Sequence, residues 1–157
     1  MIVVENPALR ETGPVVFILV GLSEAAESEL RRARRPVPQP IRANALIDTG
    51  SGRSIIQRDL ARSLGLTPIG TVEFDTPSSV DVSASEYDVR FWLDGEVSFE
   101  SRVMEAPLPV PRVQALIGRD ILALGVLTYD GPRGRFTFEF GERTAGRGRG
   151  STAFRAP

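Results

Sequence analysis

Apolar residues in this chain come in short runs, and glycine or proline follows closely on most of them. Val15-Val16-Phe17-Ile18-Leu19-Val20 runs into Gly21, and Ala45-Leu46-Ile47 into Asp48-Thr49-Gly50. Near the far end Phe136, Phe138 and Phe140 alternate with Thr137 and Glu139 before Gly141. The 15 glycines and 12 prolines are about 17% of the 157 residues, against ~12% on average. Short runs, two-residue alternation and dense turn residues specify many short strands, so the predicted class is all-β.

A buried strand is predicted over 14–21. Ser23 then offers an N-cap for a helix over 24–35, with acids early and Arg31, Arg32, Arg34 and Arg35 late, as the helix dipole favours. Pro36, Pro38 and Pro40 stop it, and its polar composition reads as a solvated face. A strand over 41–47 enters the Asp48 turn, Ser54-Ile55-Ile56 resumes extended chain, and Gln57 to Leu64 is a short helix stopped by Gly65. Val80, Val82 and Ala84 alternate in one phase, and Tyr87, Val89, Phe91 and Leu93 in the other. That change at Ser85-Glu86 predicts a bulge. Asp94-Gly95 is a hairpin signal, with Val97, Phe99 and Val103 on the return strand. A loop marked by Pro107, Pro109 and Pro111 precedes a strand over 113–117, a helical turn over 121–124, a strand over 126–129 and a turn at 131–134. Phe136, Phe138 and Phe140 are expected to form one buried face.

Composition narrows the chemistry. There is no Cys and no His, and all 19 basic residues are Arg. Thiol nucleophiles, imidazole bases, disulfides, Cys/His zinc sets and Schiff-base lysines are therefore excluded within these residues. Carboxylate, hydroxyl and guanidinium chemistry remains. A net charge of -1 gives no general pull toward nucleic acid or anionic membrane. The six-residue run Val15 to Val20 is far short of the ~20 residues of a membrane span, and the expected location is cytoplasmic. The segment after Gly141 is rich in Gly and Arg, without periodicity, and reads as a flexible tail rather than a nucleic-acid arm.

Asp48 is the residue on which these limits converge. An aspartate that ends an apolar strand and enters a glycine turn sits at low dielectric, yet at the strand's mouth. Gly50 lets backbone N–H groups approach the carboxylate, and Thr49 can hydrogen-bond to a neighbouring chain. Such a group activates water if a second carboxylate shares its proton, since two like charges at close range cannot both ionise. The plainer structural reading is an Asx-type turn.

With Ala45 to Gly50, Ser54-Ile55-Ile56 and Ala115-Leu116-Ile117-Gly118-Arg119-Asp120-Ile121-Leu122 in view, the chain resembles the retropepsin-like aspartic proteases, in particular bacterial single-domain members. The two motifs lie about 70 residues apart, in the family's order. The resemblance implies a small closed barrel with a flap hairpin and short helices after the active-site strand and near the C-terminus, to which the helix read at 23–35 is an addition absent from compact viral members. It implies an N-terminal extension at 1–13, a protease domain at 14–140 and a tail at 141–157. It makes Asp48 the catalytic carboxylate, supported by Thr49, Gly50 and Ser51, with Thr49 locking the catalytic loops of two subunits together. Ile117 and Gly118 would thread beside that loop, while Arg119 and Asp120 would open the helix as buried or half-buried scaffold; the plain structural reading of the same residues is a buried strand and a helix capped by Asp120. The flap is placed at Thr76, Pro77, Ser78 and Ser79. The implied activity is endopeptidase cleavage by a homodimer acting on a peptide or protein, with no cofactor and no metal. A catalytically silent peptide-binding or dimerisation module of the same fold is the alternative. Gly52 stands where many retroviral members carry an acid that pairs with the later Arg, so Arg119 needs another partner.

Overall fold

The computed structural model describes residues 1–76, 79–93 and 97–141. Chain order is β1 (Ile2–Glu5), α1 (Leu9–Thr12), β2 (Val15–Leu22), α2 (Glu24–Arg32), β3 (Ile41–Ile47), β4 (Ile55–Ile56), α3 (Arg58–Ser63), β5 (Gly70–Thr76), β6 (Ser79–Trp92), β7 (Ser98–Glu105), β8 (Ala115–Ile117), α4 (Arg119–Leu122), β9 (Gly125–Asp130) and β10 (Arg135–Phe140). Strands dominate, as the spacing of glycine and proline requires.

Six strands close a barrel in the order β2-β3-β8-β4-β7-β6, and β6 returns to β2 through Leu19↔Trp92 to Leu22↔Val89. Alternation sets which face goes inside. On β2, Val16, Ile18 and Val20 are buried, whereas Phe17 is 60% exposed and takes the Arg42 guanidinium over its ring at 4.1 Å. Ala43, Ala45 and Ile47 of β3 meet Val89 and Phe91 of β6, Val103 of β7 and Ile117 of β8 in one core. A second sheet, β1-β10-β9, packs Phe136 and Phe138 into that core with essentially no exposure. Each such ring contributes roughly 1.5–3 kcal/mol. Phe140 departs from the expected buried face: it is half-buried at the margin, against Phe138 at 4.8 Å and Phe99 at 5.7 Å.

Three further expectations change. Ser85-Glu86 is no bulge, because β6 is unbroken there and changes neighbours instead. Its first part pairs with β5 up to Gly70↔Glu86, and its second part pairs with β7 from Glu86↔Met104 onward. The phase flips because the environment of each face changes at Glu86, and the irregular register of the β5–β6 pair lies elsewhere, between Phe74↔Val82 and Thr76↔Ser79. The helix begins where Ser23 Oγ accepts from Ala26 N–H, but stops at Arg32, since Arg34 turns left-handed at φ 55° ahead of the prolines. It buries no side chain. Residues 1–13 carry β1 and α1: Ile2 pairs with Phe138, and Ile2 and Leu9 join the core.

The short helix α3 ends with Gly65 at φ 62°, the left-handed conformation glycine accepts readily. Thr76 and Ser79 are paired ends of β5 and β6, while Pro77 and Ser78 of the expected flap, the Asp94-Gly95 turn and the tail beyond Gly141 lie outside the described residues.

Candidate active site

The turn after β3 is anchored at both sides. Ile47 N–H donates to Pro14 O at 3.0 Å and Asp48 N–H to Ile117 O at 2.9 Å, so Asp48 leaves the barrel at a position set by β2 and β8. β8 runs parallel to β3, with Ile47 opposite Ile117. The paired stretches Ala45-Leu46-Ile47 and Ala115-Leu116-Ile117 are apolar because each is enclosed by neighbours, and the first polar residue after Ile47 emerges at the mouth. Asp48 is half-buried there, and Thr49 and Gly50 are exposed in the single chain. Gly50 N–H donates to Asp48 Oδ1 at 2.8 Å, and Ser51 N–H to Asp48 O at 3.3 Å. A Cβ on residue 50 would stand 3.0 Å from that same oxygen, so glycine makes room for the carboxylate over its own turn.

The motifs predicted from sequence are joined through Ser54, whose side chain has no exposure. Its Oγ accepts from Gly118 N–H at 3.0 Å and donates to Asp120 Oδ1 at 2.8 Å, while its N–H donates to Asp120 Oδ2 at 2.9 Å. Asp120 is therefore a clasp between loops. It is not the N-cap of α4, a position taken by Gly118, and Asp120 Oδ1 also accepts from Ile121 N–H at 2.9 Å. Gly118 lies so close to Arg53 that a Cβ would meet its carbonyl carbon and oxygen at 2.6 Å. Ser51 stiffens the same crossing, its Oγ donating to Arg53 O at 2.6 Å.

Arg119 finds backbone where an acid was missing. Its Nη1 donates to Thr49 O at 2.7 Å and Gly50 O at 3.0 Å, and its N–H donates to Ser51 O at 2.9 Å. Against expectation, Arg119 and Asp120 are exposed in the single chain, since only Ile121 of α4 turns fully inward. Asp48, Thr49, Gly50 and Ser51 thus meet Ile117, Gly118, Arg119 and Asp120 in one constellation.

Two features carried no sequence signal. Arg53 pairs with Glu86, where β6 leaves the hairpin. Beside it Arg58 Nε donates to Glu105 Oε1 at 2.6 Å and Tyr87 Oη to Glu105 Oε2 at 2.9 Å. Burial pushes the Glu105 carboxyl up, but the bonds from Arg58 and Tyr87 and the positive charge outweigh it and leave it below its ordinary value. Burial, reinforced by the bond to Glu105, pushes the Tyr87 hydroxyl up. A cavity of about 560 Å³ between this cluster, α3 and the β5–β6 hairpin does not include Asp48 in its lining.

Comparison with known proteins agrees with this geometry. A family model described as aspartyl protease matches residues 39–121. A retropepsin-like aspartic protease from Rickettsia conorii is 11% identical, with 87% of this chain and 88% of that one covered at a TM-score of 0.53. The retroviral protease-like domain of Ddi1 from Leishmania major is 15% identical over 80% of this chain and 88% of its own, at a TM-score of 0.46. The EIAV protease, complexed with the inhibitor HBY-793, is 20% identical over 70% and 85% respectively, at a TM-score of 0.43. No curated protein sequence matches significantly. The likeness to the Rickettsia structure is one of fold. The family model spans more than half of the chain and includes both halves of the site, so the chain belongs to the aspartyl protease family and has the retropepsin-like fold.

Proposed function

We propose that the chain is an aspartic endopeptidase that works as a homodimer, with one Asp48 from each subunit facing a shared water. The observation that carries this reading is a half-buried Asp48 at the mouth of a barrel strand, with Gly50 N–H on one carboxylate oxygen and the other available to a partner. A water-activating pair needs two such turns. The sequence holds a single Asp-Thr-Gly, since Asp75-Thr76 is followed by Pro77 and Asp94-Gly95 and Asp130-Gly131 lack the hydroxyl residue. A symmetric second copy supplies the other.

In the proposed reaction the water oxygen attacks the scissile carbonyl carbon and its proton passes to one Asp48. The other Asp48 donates its proton to the carbonyl oxygen. Collapse of the tetrahedral intermediate breaks the carbon–nitrogen bond as a proton reaches the leaving amine. No cofactor enters. Because the step needs one carboxyl ionised and the other protonated, activity should rise and fall across pH.

The test is cleavage of a diverse peptide mixture over a range of pH. Asp48→Asn should lower the rate by roughly 10²–10⁴-fold, the usual contribution of a general acid or base. Excess Asp48→Asn subunits mixed with wild type should suppress activity through mixed dimers. Cleavage by a monomer, or undiminished cleavage by Asp48→Asn, would overturn the shared pair. Specific peptide binding without hydrolysis would favour the binding module.

A further inference from the structure

Arg119 is held against the catalytic loop in one orientation. Nη1 is committed to the carbonyls of Thr49 and Gly50, and the main-chain N–H to Ser51. The other edge of the guanidinium, Nε and Nη2, has donors to spare, because a guanidinium carries N–H groups on all three nitrogens. Among the described residues no carboxylate lies within ion-pair distance of Arg119. The arginines nearest in the same region differ: Arg53 is matched by Glu86 and Arg58 by Glu105.

Residue 52 explains the vacancy at that edge. A Cβ on Gly52 would stand 3.5 Å from Arg119 Nη2, so a longer side chain here would reach the guanidinium, and glycine leaves the approach open. Gly52 is four residues from Asp48 in the same turn. An extended peptide advances ~3.3 Å per residue, so one laid across Asp48 carries side chains past Gly52 within a few positions of the scissile bond. Because two carbonyls already orient the guanidinium, little rotamer freedom is lost when an anion docks.

We propose that Arg119 is a specificity-determining anchor that receives an acidic side chain, Asp or Glu, of the peptide substrate over Gly52; this rests on the protease reading above. The chemistry is a charge-assisted pair of hydrogen bonds from the outer edge of the guanidinium to a carboxylate.

The experiment compares matched peptides, Asp against Asn and Glu against Gln, at each position within about four residues of the scissile bond, a span of ~13 Å on either side. Cleavage is measured with wild type, and binding with Asp48→Asn by fluorescence anisotropy. At one or more positions wild type should favour the acid roughly tenfold in kcat/KM, carried mainly by KM, as charge-assisted bonds of this kind allow. Salt should erode that ratio. Arg119→Gln should bring the ratio near one. It can also loosen the loop, so Gly52→Asp provides the second reading: it leaves the carbonyl contacts of Arg119 in place, fills the open edge from within, and should likewise remove the acid preference. Cleavage without acid preference would overturn the anchor, and so would a preference that survives Gly52→Asp. Arg119→Gln that still cleaves and leaves the ratio intact would overturn it too. If no peptide is cleaved yet Asp48→Asn binds acidic peptides selectively, the protease reading fails and the anchor stands. Neither cleavage nor selective binding would refute both.

Discussion

The turn that carries Asp48 and the root of the β5–β6 hairpin are fastened to one barrel with different materials. Around Asp48 the fasteners are mainly backbone groups and short side chains, with Ser54 fully enclosed between Gly118 and Asp120 and one long side chain, Arg119, on the carbonyls of Thr49 and Gly50. At the hairpin root they are long charged side chains, Arg53 on Glu86 and Arg58 on Glu105, and the Arg58 side chain is 66% exposed. A short buried donor left unpaired costs about 1–3 kcal/mol, which confines the turn to one geometry. The carboxylate ends of the two hairpin-root pairs are largely enclosed, Glu86 at 16% and Glu105 at 10%, but the arginine stems reach solvent, where an ion pair contributes about 0–1 kcal/mol and the stem can swing. The comparison teaches that the Asp48 turn is positioned mainly by enclosed backbone contacts, and the hairpin root by long arginine stems that can yield.

Gly118→Ala tests the rigid side most severely. The added carbon would press on the backbone of Arg53 at 2.6 Å, and backbone cannot rotate away as a side chain can. Overpacking ordinarily costs about 1–3 kcal/mol, and this contact should reach or exceed the top of that range, with loss of cleavage. Urea denaturation beside a peptide assay measures both, and near-normal values would show that the loop yields. Ser54→Ala comes next. It leaves Gly118 N–H without its partner in an enclosed place and takes one of two donors from Asp120 Oδ1, and should lower stability by about 1–3 kcal/mol and activity with it. A variant stable yet inactive would separate aiming from anchoring.

The smallest effect belongs to the yielding side. Glu105 has its carboxyl held below its ordinary value in the folded chain, so its ionised form adds stability that is complete above the unfolded value of ~4.3 and fades as pH falls through the folded one. Glu105→Gln should therefore lower melting modestly at neutral pH and flatten the acid limb of a stability profile, the gap to wild type closing as pH falls. An unchanged acid limb would show that other carboxylates govern it.

Much of this was legible beforehand. The strand over 41–47 matches β3, and Gly65 marks the end of α3, because alternation and a left-handed stop are written in neighbouring residues. The Asp48 turn and the Ile117 to Asp120 segment could be paired by their order and spacing. Ser54, Glu86 and Glu105 could not be placed in this way. Their partners lie 66, 33 and 47 positions away, and one serine or glutamate among many carries no periodic mark. Glu86 also misled, since a strand that exchanges neighbours and a strand that bulges both invert the apolar phase. Residues 1–13 looked peripheral for a similar reason: the apolar run Ile2-Val3-Val4 is brief, and its partner is β10.

That last pairing bears on how the chain reaches its fold. Ile2 and Phe138 are 136 positions apart, and Leu19 and Trp92, which help close the barrel, are 73 apart. Bringing such distant segments together incurs loop-closure entropy before any contact rewards it, and β-proteins dominated by remote pairings fold in milliseconds to seconds rather than microseconds. During synthesis β10 emerges after everything it must join. Until then β1 and β9 each lack the strand that separates them, and the pocket for Phe136 and Phe138 stands unfilled. That interval is when an open edge is most prone to pair with another chain, and the final strand both completes the core and ends the exposure.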